Sequence, residues 1–209
     1  MKHKSFVPLM ITGLSLLLTV GCASTTPSSR FYTLNSISNP EPKEGQSLTQ
    51  GRTIGLGPIR FPDYLDHSGI VTRTGSNTLE IAEFDLWAGS LKEDFTRVLL
   101  QNLFVLMGND KIVLYPYSST LPTNFRVLLS VNRFDGNLGD KVYLDAGWVI
   151  LEGIDKKEGV SQVSRIVEPV NGSDYRDLIA AQSRAVERLS RDIAKALKES
   201  PFPAPAPGK

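Results

Sequence analysis

The sequence predicts an α+β fold in which a mixed, largely antiparallel sheet packs against two amphipathic helices. Strand-like runs come in closely spaced groups joined by short turns that contain Gly and Asp, a pattern that favours hairpins. Two longer segments instead repeat apolar residues every three to four positions, as one face of a helix does. The order along the chain is several strands, a helix, several strands and a second helix.

The predicted strands lie between the N-terminal leader and the last helix. They cover residues 30–34, 53–59, 69–73, 78–83, 111–115, 124–134, 141–152 and 160–170. The hairpin-like spacing of the middle strands makes antiparallel pairing the expectation for the longest of them.

Capping residues mark the two predicted helices. Asp85 is the expected N-cap of the first helix, and Gly108 is expected to end it. Ser173 or Asp174 is expected to cap the second helix. Leu99 lies in the middle of the apolar stripe of the first helix.

The folded domain is expected over residues 31–198. Residues 199–209 form a proline-rich tail that cannot continue a helix, so we expect it to be disordered. The formal net charge of +1 leaves no strongly basic face, so we expect no nucleic-acid partner. The single cysteine excludes an intramolecular disulfide and a cysteine-based zinc site.

The N-terminal region is typical of a secreted protein. Residues 1–5 contain two lysines, residues 6–20 are almost wholly apolar, and Gly21 precedes Cys22. Fifteen apolar residues span only about 22 Å as a helix, whereas the hydrocarbon core of a bilayer is about 30 Å thick. We therefore expect residues 1–21 to be a signal peptide rather than a permanent membrane span.

Cys22 is the expected lipidation site. Residues 18–22, LTVGC, resemble a lipobox, although Thr19 stands where leucine is usual. Residues 22–30 would then be a lipidated tether, and the alternative is an ordinary signal peptide that ends at a chance cysteine. Ala23 is not the aspartate of an inner-membrane retention signal, so we expect an anchor in the outer membrane, with the domain on its periplasmic face.

Motifs that carry chemistry are scarce in this sequence. His67 is the single histidine left after the expected cleavage, and no nucleophile-elbow sequence accompanies it. Gly55 and Gly57 are followed by prolines instead of the helix that binds a dinucleotide pyrophosphate. Asp63 and Asp66 could serve a glycosidase as a carboxylate pair, but solvated surface acids are far more common. We expect no catalytic activity, no cofactor and no metal.

The segment from Pro62 to Arg73 is the candidate contact surface for a partner protein. The candidate contact residues are Pro62, Tyr64, Leu65, Asp66 and Arg73. Tyrosine and arginine are enriched at binding hot spots. Asp66 and Arg73 are expected to pair across the turn. The alternative is a loop that packs on its own domain.

Eight different short motifs follow one another along the chain. They are Cys22, residues 31–34 (FYTL), 62–66 (PDYLD), 70–73 (IVTR), 83–87 (EFDLW), 115–116 (YP), 133–136 (RFDG) and Trp148. In order and spacing they resemble the PqiC-like family, the ABC-type transport auxiliary lipoproteins. The resemblance covers most of residues 22–198.

The resemblance implies a non-enzymatic lipoprotein that works with an MCE-domain protein and its inner-membrane partner. Such systems move phospholipids or other hydrophobic molecules between the two membranes of Gram-negative bacteria. Because MCE proteins form rings, several copies of the chain could occupy one partner, and a homo-oligomer would be compatible with that arrangement. The alternatives are a structural envelope lipoprotein without a transport role and a carrier that holds lipid in its own cavity.

Overall fold

The computed structural model describes residues 27–37, 53–108, 111–115, 123–152 and 157–200. The strands are Arg30–Tyr32 (β1), Ile54–Arg60 (β2), Gly69–Gly75 (β3), Thr78–Trp87 (β4), Ile112–Leu114 (β5), Phe125–Gly136 (β6), Lys141–Glu152 (β7) and Lys157–Pro169 (β8). The helices are Leu91–Met107 (α1) and Tyr175–Glu199 (α2), and one turn of 3-10 helix, Asp63–Leu65, precedes β3. The expected signal peptide, Cys22 and the tail beyond Ser200 lie outside the described ranges.

The strands form two sheets instead of the one sheet expected. The smaller sheet has the order β1-β4-β3, with β1 parallel and β3 antiparallel to β4. The larger sheet has the order β5-β2-β6-β7-β8, in which β2 runs parallel to both of its neighbours. The two long ladders, β6 with β7 and β7 with β8, are antiparallel. The fold is the predicted α+β class with mixed sheets.

The hydrophobic core lies between the larger sheet and the helices. Along β7, buried residues alternate with half-buried ones, the pattern of a strand that a helical layer covers on one face. Three rings, Phe61, Phe95 and Phe134, pack edge to face with centroids 5.3 to 6.2 Å apart. These contacts pack α1 against β6 and against the chain that follows β2.

Both helices begin at a capping side chain. The Ser90 hydroxyl accepts a hydrogen bond from the Glu93 amide at the start of α1, and Gly108 ends the helix in the left-handed conformation with a φ of 56°. Asp174 and Asp177 form a reciprocal capping box at the start of α2. Within the described ranges, neither helix has the combination of length and apolar character that crossing a membrane requires.

The prediction that Asp85 caps the first helix is wrong, because β4 continues through this residue to Trp87. The Asp85 carboxylate instead accepts hydrogen bonds from the Arg30 guanidinium at 2.9 Å and from the Tyr32 hydroxyl at 2.7 Å. Both donors lie on β1, the parallel neighbour of β4. A charged residue in the register of a strand thus serves a cross-strand pair rather than a helix end.

The chain that follows β1 is hydrogen-bonded to both helices. Three of its backbone amides donate hydrogen bonds to side chains of α1 and α2. An extended segment outside a sheet has no neighbouring strand, so these side chains supply the acceptors that its amides need. The bonds run from Leu34 to Asp94 Oδ2 (2.6 Å), from Asn35 to Ser183 Oγ (3.1 Å) and from Ile37 to Asn102 Oδ1 (2.7 Å). Asn102 is fully buried and also donates to Ser190 Oγ at 3.1 Å, which links the two helices.

Candidate functional site

β6 ends with a fully buried carboxylate. The Asp135 side chain accepts hydrogen bonds from Arg133 Nε at 2.8 Å, from Arg73 Nε at 3.1 Å and Arg73 Nη2 at 2.9 Å, and from the Tyr64 hydroxyl at 2.8 Å. Burial of a carboxylate is tolerated only when charge and hydrogen bonds compensate for lost water, and all of these donors do so here. We call Tyr64, Arg73, Arg133 and Asp135 the Asp135 cluster.

The Asp135 cluster joins the two sheets. Arg73 belongs to β3 of the smaller sheet, whereas Asp135 and Arg133 belong to β6 of the larger one. Arg73 contacts both carboxylate oxygens, a two-point geometry that fixes orientation as well as distance. Tyr64 adds the 3-10 turn to the same anchor point. The cluster therefore holds the segment between β2 and β3 against the body of the domain.

The protonation states of the cluster follow from its contacts. Burial alone would raise the pKa of Asp135, but hydrogen bonds from Arg73, Arg133 and Tyr64 outweigh it and hold that pKa below its usual range. Burial and the hydrogen bond to Asp135 raise the pKa of Tyr64 to about 12. At neutral pH the cluster therefore holds two guanidinium groups, one carboxylate and a neutral phenol, which leaves one excess positive charge.

An open cleft of about 590 Å³ lies beside the Asp135 cluster. Its lining residues are Arg73, Gly75, Ser76, Arg133, Asn137, Asp140 and Tyr143. The Arg133 guanidinium stacks over the Tyr143 ring, with its central carbon 4.0 Å from the ring centroid. The side chains of Arg73 and Arg133 remain 23% and 29% exposed. The cleft can therefore receive a polar or anionic group of a partner.

The candidate contact residues lie in different environments. Leu65 is 3% exposed and belongs to the core, and Tyr64 and Pro62 are half-buried. Asp66 is exposed, and Arg73 is partly buried. Much of the segment thus packs on its own domain, while Asp66 and one side of Pro62 and Arg73 face solvent.

The prediction that Asp66 and Arg73 form an ion pair is wrong. Arg73 instead turns to Asp135 and to the backbone oxygen of Ser76, which accepts from Arg73 Nη1 at 3.2 Å. Asp135 is buried, and the lower effective dielectric there strengthens the attraction between its carboxylate and the guanidinium relative to that of the exposed Asp66. The sequence offered one indication of this partner, since Asp135 lies near the end of the predicted strand and Arg133 stands two positions before it.

The part of the chain that the structure describes holds no metal-binding cluster of histidine, cysteine and acidic side chains. His67 lies exposed in the loop before β3. Within the same ranges, no group of three or more His, Cys, Asp or Glu side chains is placed to hold a metal ion.

Comparison with known sequences identifies a family and two related proteins. The chain matches the family model of the ABC-type transport auxiliary lipoprotein component over residues 32–194. It is 25% identical over 165 residues to the intermembrane transport lipoprotein PqiC of Escherichia coli K12, an alignment that covers 72% of this chain and 84% of that protein. The PqiC protein of Shigella flexneri matches to the same extent.

Two crystal structures share the fold. An uncharacterized protein superimposes with a TM-score of 0.66 at 18% identity, covering 82% of this chain and 99% of its own. A protein from Xanthomonas campestris superimposes with a TM-score of 0.63 at 14% identity, covering 81% of this chain and 95% of its own. Since the family match runs from β1 into α2, the chain belongs to the ABC-type transport auxiliary lipoprotein component family.

Proposed function

We propose that the chain is an outer-membrane lipoprotein subunit of an MCE-type intermembrane lipid transport system. In this proposal it is a non-catalytic docking and tethering component, held in the membrane by a lipid on Cys22. The observation that carries the proposal is the family match over residues 32–194, and the similarity to PqiC supports the transport role. The apolar leader that ends at the single cysteine supports the anchor.

The anchor is tested by removing the thiol that would be acylated. We expect Cys22→Ser to prevent lipidation, so that radioactive palmitate labels the wild type only and the variant lacks the lipid anchor, with its leader cleaved or uncleaved. Three acyl chains hold a protein on a bilayer stably, and the variant lacks the thiol that receives the first lipid group. Equal palmitate labelling of both proteins would refute lipidation at Cys22.

The proposed docking surface is the exposed side of the segment from Pro62 to Arg73. Leu65 in the core and the Tyr64 hydroxyl on Asp135 hold this segment from behind. A surface that is fixed before binding loses less conformational entropy when the complex forms. Asp63 and Asp66 are exposed acidic residues of this surface.

A small cleft of about 110 Å³ adjoins this docking surface. Its lining residues are Phe61, Pro62, Asp63, Leu65, Asp66 and Lys92 of α1. A lining that combines apolar side chains with two carboxylates and an ammonium group suits a partner side chain that is apolar at its base and polar at its tip. The proposed contacts are therefore made by this cleft, with Arg73 at the other end of the segment.

Charge reversal at the docking surface tests its role. We expect Asp66→Arg to reduce co-purification of the MCE-domain protein from membranes, because a reversed charge at an interface is repelled or left unpaired. Glu199→Arg is the matched control, since Glu199 is an exposed acid at the C-terminal end of α2, 66% exposed in its side chain. If Asp66→Arg recovers as much partner as Glu199→Arg does, the interface lies elsewhere. Melting temperatures of both variants near that of the wild type would exclude misfolding as the cause of a loss.

A lipid carrier is the second candidate function, and one feature favours it. A groove of about 460 Å³ along α1 is lined mainly by apolar side chains, including Leu100, Ile112 and Phe104, which is 50% exposed. A carrier would retain phospholipid that is not covalently bound after purification in detergent and exchange into buffer. The docking proposal predicts that organic extraction of the purified protein releases none.

A further inference from the structure

We propose that the outer face of the smaller sheet rests on the lipid bilayer in which the chain is anchored. We call this surface, made of Phe31, Phe84 and Leu86, the Phe31 face. The proposal rests on the lipid anchor proposed for Cys22 and goes beyond it by naming the part of the fold that meets the membrane.

Phe31 is a large apolar side chain in an exposed position. It is 65% exposed on β1, which forms the edge of the smaller sheet and pairs only with β4 among the described strands. Burial of such a ring is favourable, and no described element of the chain covers it. An exposed apolar surface of this kind is suited to contact with another molecule or with a membrane.

The neighbours of Phe31 extend this apolar surface. Phe31 lies in register with Leu86 of β4, so the two side chains point to the same side of the sheet. Phe84 precedes Leu86 by two positions and shares that side, and both residues are half-buried. Asp85 and Trp87 alternate with them and are buried, so their side chains point to the other side.

The length of the tether determines what lies next to this face. Nine residue-to-residue steps lead from Cys22 to Phe31, a reach of about 30 Å when fully extended. A domain of about 170 residues has a radius of gyration of about 15 Å and is about 40 Å across. The tether is shorter than the domain is wide, so the side that carries β1 is the side held toward the bilayer.

The charges around Phe31 are compatible with contact at the membrane surface. Arg30 beside it pairs with Asp85, with Nε 2.9 Å from Oδ1, so this ion pair carries no net charge. Ser28 and Ser29, which lead into β1, are exposed and uncharged. An aromatic ring flanked by polar groups matches the interface between headgroups and acyl chains.

Tryptophan fluorescence next to brominated lipid tests the proposal. Phe31→Trp places a reporter in the Phe31 face, and Val163→Trp places a matched reporter on β8, where Val163 is 58% exposed on the other sheet. The native residues Trp87 and Trp148 are 5% and 1% exposed and give a buried background. Each full-length protein is purified from membranes, and its Cys22 lipid is verified by mass spectrometry. It is then reconstituted into vesicles of phosphatidylethanolamine and phosphatidylglycerol, with and without brominated acyl chains.

The proposal predicts a blue shift and a loss of emission in brominated vesicles for Phe31→Trp, and wild-type behaviour for Val163→Trp. Quenching of Phe31→Trp that is no stronger than that of Val163→Trp would overturn it. If mass spectrometry finds no lipid on Cys22, the proposed anchor has failed separately. The same spectra are then recorded on protein coupled through its single cysteine to a maleimide phospholipid, with the same two outcomes deciding the orientation.

Discussion

Four hydrogen bonds from three side chains reach the Asp135 carboxylate, which has no exposed surface of its own. Its partners come from β3, from the turn after β2 and from β6 itself. A single buried charge thus fixes the position of Tyr64 and Arg73, two of the residues in the proposed docking surface. The stability of the domain and the shape of that surface depend on the same carboxylate.

Removing this carboxylate should destabilise the domain strongly. Asp135→Ala leaves Arg73 and Arg133 without their shared counter-ion in a partly buried place, and we expect a loss of about 3–5 kcal/mol in the free energy of unfolding. Asp140→Ala, an exposed residue on the wall of the same cleft, should change it by less than about 0.5 kcal/mol. Urea unfolding at neutral pH measures both, and similar midpoints would show that the cluster adds little.

The stability that Asp135 supplies should depend on pH. Its pKa is lowered in the folded protein, so this contribution is complete above the ordinary pKa near 4 and is lost as the pH falls through the folded value. We expect the stability difference between wild type and Asp135→Asn to narrow between pH 7 and about pH 3. A constant difference across that range in urea titrations would contradict the ionised state.

At the scale of elements, α1 follows from its sequence apart from its start. The apolar spacing predicts the helix and Gly108 predicts its end, both as observed. Its beginning was misplaced because β4 runs on through Asp85, whose carboxylate serves Arg30 on a strand more than fifty residues away. A local pattern contains no information about such a distant partner, so the true cap, Ser90, was not recognised.

The middle of α1 provides a test of the core. Leu99 has no exposed surface, and Leu99→Ala should cost about 2–5 kcal/mol because it removes buried methyl groups and leaves a cavity. Lys92→Ala, an exposed position on the same helix, is the control and should cost little. Arg97 is less suitable as a control, because its Nη2 donates to the Leu34 backbone oxygen at 3.0 Å. Equal melting temperatures for Leu99→Ala and Lys92→Ala would contradict the packing.

At the scale of the molecule, the sequence predicts the fold class better than the assembly of its strands. The limits of β7, Lys141–Glu152, agree with the prediction because its alternation and flanking turns are local features. The division into two sheets was missed, since β1 pairs with β4 across more than fifty residues. The site is only partly predictable for the same reason. The sequence identifies Tyr64 and Arg73 as candidate contact residues, but their hydrogen bonds to Asp135 join residues that are 71 and 62 positions apart.

The proposed docking role is tested most directly with two purified proteins. The lipidated chain is placed in a nanodisc, and the periplasmic region of the MCE-domain protein from the same host is titrated against it. We predict saturable binding that Asp66→Arg weakens and Glu199→Arg leaves unchanged, because the contact lies on the segment from Pro62 to Arg73. The absence of saturable binding to the wild-type chain would contradict the proposal that this lipoprotein docks on an MCE-type system.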